Sequence, residues 1–119
     1  MKPNELRIGN WVHNEITGKD MQVYPMMIPQ MEHTKPKYDN GIISIPLTEE
    51  WLKKFGFTFD DNFKISYLSP DVNNWQMRIF TSSNGYEWVI SIMHKIEIKY
   101  VHQLQNLYFA LTGEELKII

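Results

Sequence analysis

Four histidines, His13, His33, His94 and His102, and the acidic runs Asp60-Asp61 and Asp71-Val72-Asn73-Asn74 are the residues of this chain whose types could do chemistry. A metal centre needs imidazoles or carboxylates converging on one point, and the spacings that achieve this on a single element, HxH or HExxH, are missing here. There is no cysteine, which excludes disulfides and thiolate ligands and fits a reducing compartment. A calcium loop of the EF-hand type needs a glycine at its sharp turn and a distal bidentate Glu. Neither acidic run has them, so both read as turns. No glycine-rich phosphate loop of the GxGxxG or Walker type occurs. His102 is left as the candidate general base, and a base needs a nucleophile beside it and a third group to hold it. No such set is legible, so no catalytic, cofactor or metal residue is assigned and the chain reads as non-enzymatic.

His102 belongs to the stretch that must organise the fold, Tyr100-Val101-His102-Gln103-Leu104-Gln105-Asn106-Leu107-Tyr108-Phe109-Ala110-Leu111-Thr112-Gly113. At about 100° per residue, Tyr100, Leu104, Leu107, Tyr108 and Leu111 share one arc, with Val101 at its edge, as an amphipathic helix requires. Gly113 predicts the end, because a left-handed terminator costs glycine no Cβ clash. Opposite the arc stand His102, Gln105, Asn106 and Phe109. No Asp, Glu, Lys or Arg occurs between Tyr100 and Gly113, although 22% of the chain is charged, and a solvated helix face normally carries charge. Two readings follow. The helix is buried on both sides, its amides satisfying the backbone of a crossing loop or strand. Or His102, Gln105, Asn106 and Phe109 form a contact surface for a second copy or another protein, where charge is depleted and aromatics are favoured.

The remaining chain supplies the sheets on which such a helix would rest. A length of 119 residues with 43% hydrophobic and 13% aromatic content describes one globular domain. Residues 5–12 alternate and are β-forming, residues 16–20 form a turn, and residues 21–24 return, an opening that looks like the entry to a small SH3-like barrel. From Pro25 to Asn40 the periodicity fails, since Pro25, Pro29 and Pro36 each remove a backbone donor. Met26, Met27 and Met31 make this excursion a second candidate contact region, or a loop whose thioethers fill gaps over the core. Ile42-Ile43-Ser44-Ile45 is a short strand ending at Pro46. A helix over 49–55 then has Thr48 as N-cap, Glu49 and Glu50 at its positive end, Lys53 and Lys54 at its negative end, and Gly56 as terminator. Its buried face is Trp51, Leu52 and Phe55. Strands are predicted over 64–68, 75–80 and 86–93, the last two forming a hairpin through Ser83-Asn84-Gly85. Trp75, Met77 and Ile79, and Trp88, Ile90 and Ile92, alternate onto one face. Residues 94–99 extend that sheet or lead into the last helix, and Leu116, Ile118 and Ile119 suit a docked tail. The expected class is α+β, an antiparallel sheet packed with a short central helix and a longer C-terminal one.

Charge and targeting narrow the function classes. Acidic residues outnumber basic ones, 14 to 12, and the pI is near 6.1, so no basic field draws the chain to nucleic acid. No apolar run has the length of a signal peptide or membrane span, and the expected location is the cytoplasm. Asn4-Glu5-Leu6-Arg7-Ile8-Gly9-Asn10-Trp11-Val12, the stretch 45–57 with its Leu-Thr-Glu-Glu-Trp-Leu core, and the stretch 98–116 around His102-Gln103-Leu104-Gln105-Asn106-Leu107-Tyr108 resemble three blocks of a family. Its members are small proteins encoded by bacteriophages and integrated mobile elements of gut anaerobic bacteria. The resemblance implies a genomic setting and carries over no activity, cofactor or catalytic residue; it does not extend to Met26, Met27 and Met31. The expected function is that of an accessory protein acting by protein contact, as a homodimer or on a host or phage protein. A weak nucleic-acid-binding module is the alternative, followed by a small hydrolase or nuclease.

Overall fold

The computed structural model describes residues 5–25, 41–60, 66–72, 74–81, 88–89 and 96–119. In chain order they form β1 (Trp11–Asn14), β2 (Lys19–Gln22), β3 (Ile42–Ile43), α1 (Glu49–Lys54), β4 (Thr58–Asp60), β5 (Ser66–Leu68), β6 (Arg78–Thr81), β7 (Trp88–Val89), β8 (Glu97–Ile98) and α2 (Val101–Thr112). Every strand pairing is antiparallel, in a three-stranded sheet ordered β2-β1-β3 and a five-stranded sheet ordered β4-β5-β6-β7-β8. The class is α+β, as the sequence patterns imply. Among the described residues the N-terminal sheet is a three-stranded ladder.

A short stretch of chain links the two sheets. After β3, the Leu47 amide donates to Lys99 O and the Val101 amide to Ile45 O, both at 2.9 Å, with Pro46 opposite Tyr100. The segment therefore pairs antiparallel with the residues that follow β8. Pro46 fits because, at this position of the ladder, its own nitrogen points away from the partner strand and no donor is needed there.

Local chemistry sets both helices. Thr48 Oγ1 accepts from the Trp51 amide at 3.4 Å, and Phe55 caps the other end, followed by Gly56 at φ 84°. Trp51, Leu52 and Phe55 are buried as the spacing predicts. In α2 the Gln103 side chain turns back, its Oε1 accepting from the Lys99 and Tyr100 amides at 2.9 and 3.2 Å. Gly113 closes the helix in the left-handed region at φ 75°, its amide donating to Phe109 O.

The main core joins α1, α2 and the inner face of the larger sheet. Leu52, Phe55, Tyr67, Ile79, Trp88 and Leu104 are among its buried members, and Leu116 of the tail closes it. Each aliphatic side chain buried this completely stabilises the fold by about 1.5–3 kcal/mol. A smaller cluster of Leu6, Val12, Val23 and Ile42 lies under the N-terminal sheet.

Three expectations change. The first strand begins at Trp11, not near Glu5, because residues 7–10 form a turn. Gly9 sits at φ 92°, and Asn10 Oδ1 accepts from the Arg7 amide at 2.6 Å, a local bond that competes with a ladder. Trp75 is exposed and pairs with Val72 in a tight turn, while Met77 and Ile79 are buried as expected. Leu111, on the apolar arc, is 55% exposed. Burial on α2 declines along its axis, from Val101, His102, Leu104 and Gln105 at its start to Phe109, Ala110 and Leu111 near its end. The segments that cover the helix meet its first two turns, and angle alone does not report that.

Candidate functional site

The uncharged face of α2 is covered by the N-terminal segment. Gln105 Oε1 accepts from the Trp11 amide at 2.8 Å, and its Nε2 donates to Gly9 O at 3.1 Å. Asn106 Oδ1 accepts from both Arg7 Nε (2.8 Å) and Asn10 Nδ2 (2.9 Å), while its Nδ2 donates to Glu5 O at 2.9 Å. Arg7 completes the lacing by pairing with Glu115 through Nη1 at 2.6 Å and donating from Nη2 to Gln105 O at 3.3 Å. The turn itself is pinned to the end of β2, where the Gly9 amide donates to Val23 O and the Val23 amide to Asn10 O, both at 2.8 Å. Asn10 is 0% exposed, and all of its polar groups are used.

This geometry separates the four residues read as a contact surface. Gln105 and His102 are each 1% exposed, so they face the protein interior and present nothing to a partner. Asn106 is half-buried beneath Arg7. Of the two readings of this face, the hydrogen bonds match the first: the amides satisfy the backbone of a crossing segment. Phe109 alone is open, 39% exposed, with the Arg7 guanidinium 4.3 Å from its ring centroid. Met26, Met27 and Met31 lie outside the described residues, as do His33, His94 and the turn at 83–85.

His102 is buried without compensation. Among the described residues neither ring nitrogen has a hydrogen-bond partner, its ring stacks on Tyr100 at 5.8 Å and 9°, and Glu5 Oε2 stands 3.7 Å from Nε2. That distance is too long for a hydrogen bond, so Glu5 acts only as a charge. Burial holds the imidazole below its ordinary pKa, against the upward pull of Glu5. The enclosed ring, held toward its neutral form, packs the start of the helix.

The other histidine described, His13, meets Asp20 at 2.8 Å across the β1–β2 pair, both side chains about one-third exposed. Cross-strand pairs this open contribute at most about 1 kcal/mol. Among the described residues no group of three or more His, Asp or Glu is placed to hold a metal ion. Likewise, no helix among them is long and apolar enough to cross a membrane.

Arg7 and Asn10 are the residues that sequence reasoning passed over. A signal was present: Gly9 interrupts the β-forming run between Arg7 and Asn10, and the helix face is rich in amides without charge. The fold and this site define an α+β domain whose last helix is laced to its N-terminal segment. No family model, no curated protein and no solved structure matches this chain.

Proposed function

We propose that the chain is an accessory protein of a bacteriophage or integrated element that works by protein contact in a bacterial cytoplasm. The observation that supports this is the Phe109–Arg7 pair. An aromatic ring stands exposed near the end of α2, and the guanidinium over it is already held by Asn106 and Glu115. Aromatic and arginine side chains dominate interface energetics, and an arginine fixed beforehand loses less freedom on binding. The partner is a second copy or a host or phage protein.

Phe109→Asp tests this reading. The position is open, so the variant keeps the far-ultraviolet circular dichroism and unfolding midpoint of the wild type. It converts a dimer to a monomer in light scattering after size exclusion, or loses a protein that the wild type retains from host extract. A wild type that is monomeric and retains the same proteins as Phe109→Asp refutes the proposal.

A further inference from the structure

The edge of a sheet carries backbone donors and acceptors that a further strand can use. Among the described residues most edges of this fold are short or taken. β3 is two residues long, β4 turns only Phe59 outward because Thr58 and Asp60 face β5, and residues 45–47 pair with the chain just beyond β8. β2 differs, lying at the end of the β2-β1-β3 order. The Val23 amide donates to Asn10 O and Val23 O accepts from the Gly9 amide, so Val23 faces β1. Inward and outward residues alternate along a strand. Met21 and Lys19 therefore bond to β1 opposite Val12 and Asn14, while Asp20 and Gln22 turn their N–H and C=O groups away from the sheet. Tyr24 is next in that outward series. Among the described residues these outward backbone groups have no partner, and Asp20, Gln22 and Tyr24 are all exposed.

This edge is complementary to itself. Laid antiparallel on the same edge of a second copy, with a twofold axis at Gln22, it sets Gln22 opposite Gln22 and each Asp20 opposite Tyr24 of the second copy. Every outward residue is then paired. Moving the axis to Met21 would put Tyr24 opposite Gly18, whose amide is already held by Asn14 O at 2.8 Å. Side chains agree with the first register. Asp20 Oδ1 is engaged by His13, which leaves Oδ2 to accept from the facing phenol. Lys19 falls opposite Pro25, so no like charges meet across the junction. Met21, half-buried against the small core of Leu6, Val12, Val23 and Ile42, is covered by the added strand.

We propose that two copies of this chain associate through β2, edge to edge and antiparallel about Gln22, joining their three-stranded sheets into one continuous sheet. The inference goes beyond the contact function proposed above and does not rest on it, since the β2 edge shares no residue with the Arg7–Phe109 surface.

The test places charge on the twofold axis. Gln22 is exposed, and Gly9 O, to which its Nε2 donates, is also served by Gln105. Gln22→Lys and Gln22→Glu therefore keep the far-ultraviolet circular dichroism and unfolding midpoint of the wild type. Each sets like charges directly opposite one another, and light scattering after size exclusion shows its dimer at least about fivefold weaker than that of the wild type. Mixed in equal amounts, the two variants restore the dimer through a Lys–Glu pair. Amide hydrogen exchange on the wild type needs no substitution: exchange at Asp20 and Gln22 slows as the protein is concentrated into the dimer. A wild type that stays monomeric up to about 1 mM overturns the proposal. So does a dimer of unchanged affinity in both variants, a mixture that fails to re-form it, or exchange at Asp20 and Gln22 that ignores concentration. Phe109→Asp leaves this dimer intact; a dimer lost there and kept in both Gln22 variants belongs to the Phe109 surface and removes the β2 edge.

Discussion

Gln105→Ala is the most direct probe of the lacing between the first and last parts of the chain. The substitution removes the acceptor of the Trp11 amide and one of two donors to Gly9 O, the other being Gln22 Nε2 at 3.0 Å. Gly9 O therefore stays satisfied, while the Trp11 amide is left without its partner in a part-buried site. An unmade bond of this kind costs about 1–3 kcal/mol, and loss of the second bond adds about 0.5–1 kcal/mol. The side chain is 1% exposed, so a void is left as well. The expected total is about 2–4 kcal/mol, a large part of the about 5–15 kcal/mol that domains retain. Urea unfolding followed by tryptophan fluorescence and circular dichroism reads it as a lowered midpoint at unchanged slope. Hydrogen exchange reads it locally: the Trp11 amide exchanges about tenfold faster or more, since each 1.4 kcal/mol is about tenfold. Leu111→Ala on the exposed end of the same helix serves as control and stays within about 0.5 kcal/mol of wild type. A Gln105→Ala chain that matches this control, with the Trp11 amide as protected as before, refutes the assignment of Gln105 as the staple.

His102 predicts a pH dependence of definite sign. Its folded-state pKa lies below the ordinary 6.5, so at mildly acid pH the unfolded chain takes up a proton that the folded chain refuses. Stability is highest above about pH 6.5 and falls as pH drops through that value, until the folded imidazole protonates too. His102→Phe keeps the stack on Tyr100 and flattens this limb of the urea midpoint against pH. Glu5→Gln removes the charge that opposes the shift and carries the loss further into the acid range; equal slopes in wild type and His102→Phe would exclude this account. Gly113→Ala costs about 1 kcal/mol in the same assay, and the cost is conformational alone, because a Cβ there meets nothing within 4 Å while φ is +75°. Thr48→Ala lowers stability by about 0.5–1 kcal/mol, at the low end for an N-cap because its bond to Trp51 is 3.4 Å long, and Thr48→Ser restores it.

The features legible from the residues alone are those whose causes lie within a few positions of one another. Thr48, the paired Glu49 and Glu50, Lys53 and Lys54, and Gly56 act on their own helix ends, so α1 falls within a residue of its predicted bounds. Gly113 likewise ends α2, and alternation placed Met77, Ile79 and Trp88 on the core side of an antiparallel sheet. The α+β class follows from those local periods. The use made of the neutral face of α2 came instead from long-range packing. Gln105 and Asn106 carry donors and acceptors that serve equally for a partner or for another part of the same chain, and hydrogen-bonding capacity does not name its own target. The target proved to be residues 5–11, whose hydrogen bonds to these two side chains span 94 to 101 positions. Such contacts form only once both sheets and the β8 junction have brought the chain's first and last segments together. The same placement buried His102 and Gln105, left Phe109 and Leu111 open beyond the reach of the covering segment, and drew Arg7 over the Phe109 ring. Periodicity gives the angle of a side chain about its helix; how far along the axis a neighbour extends is a property of the packed whole.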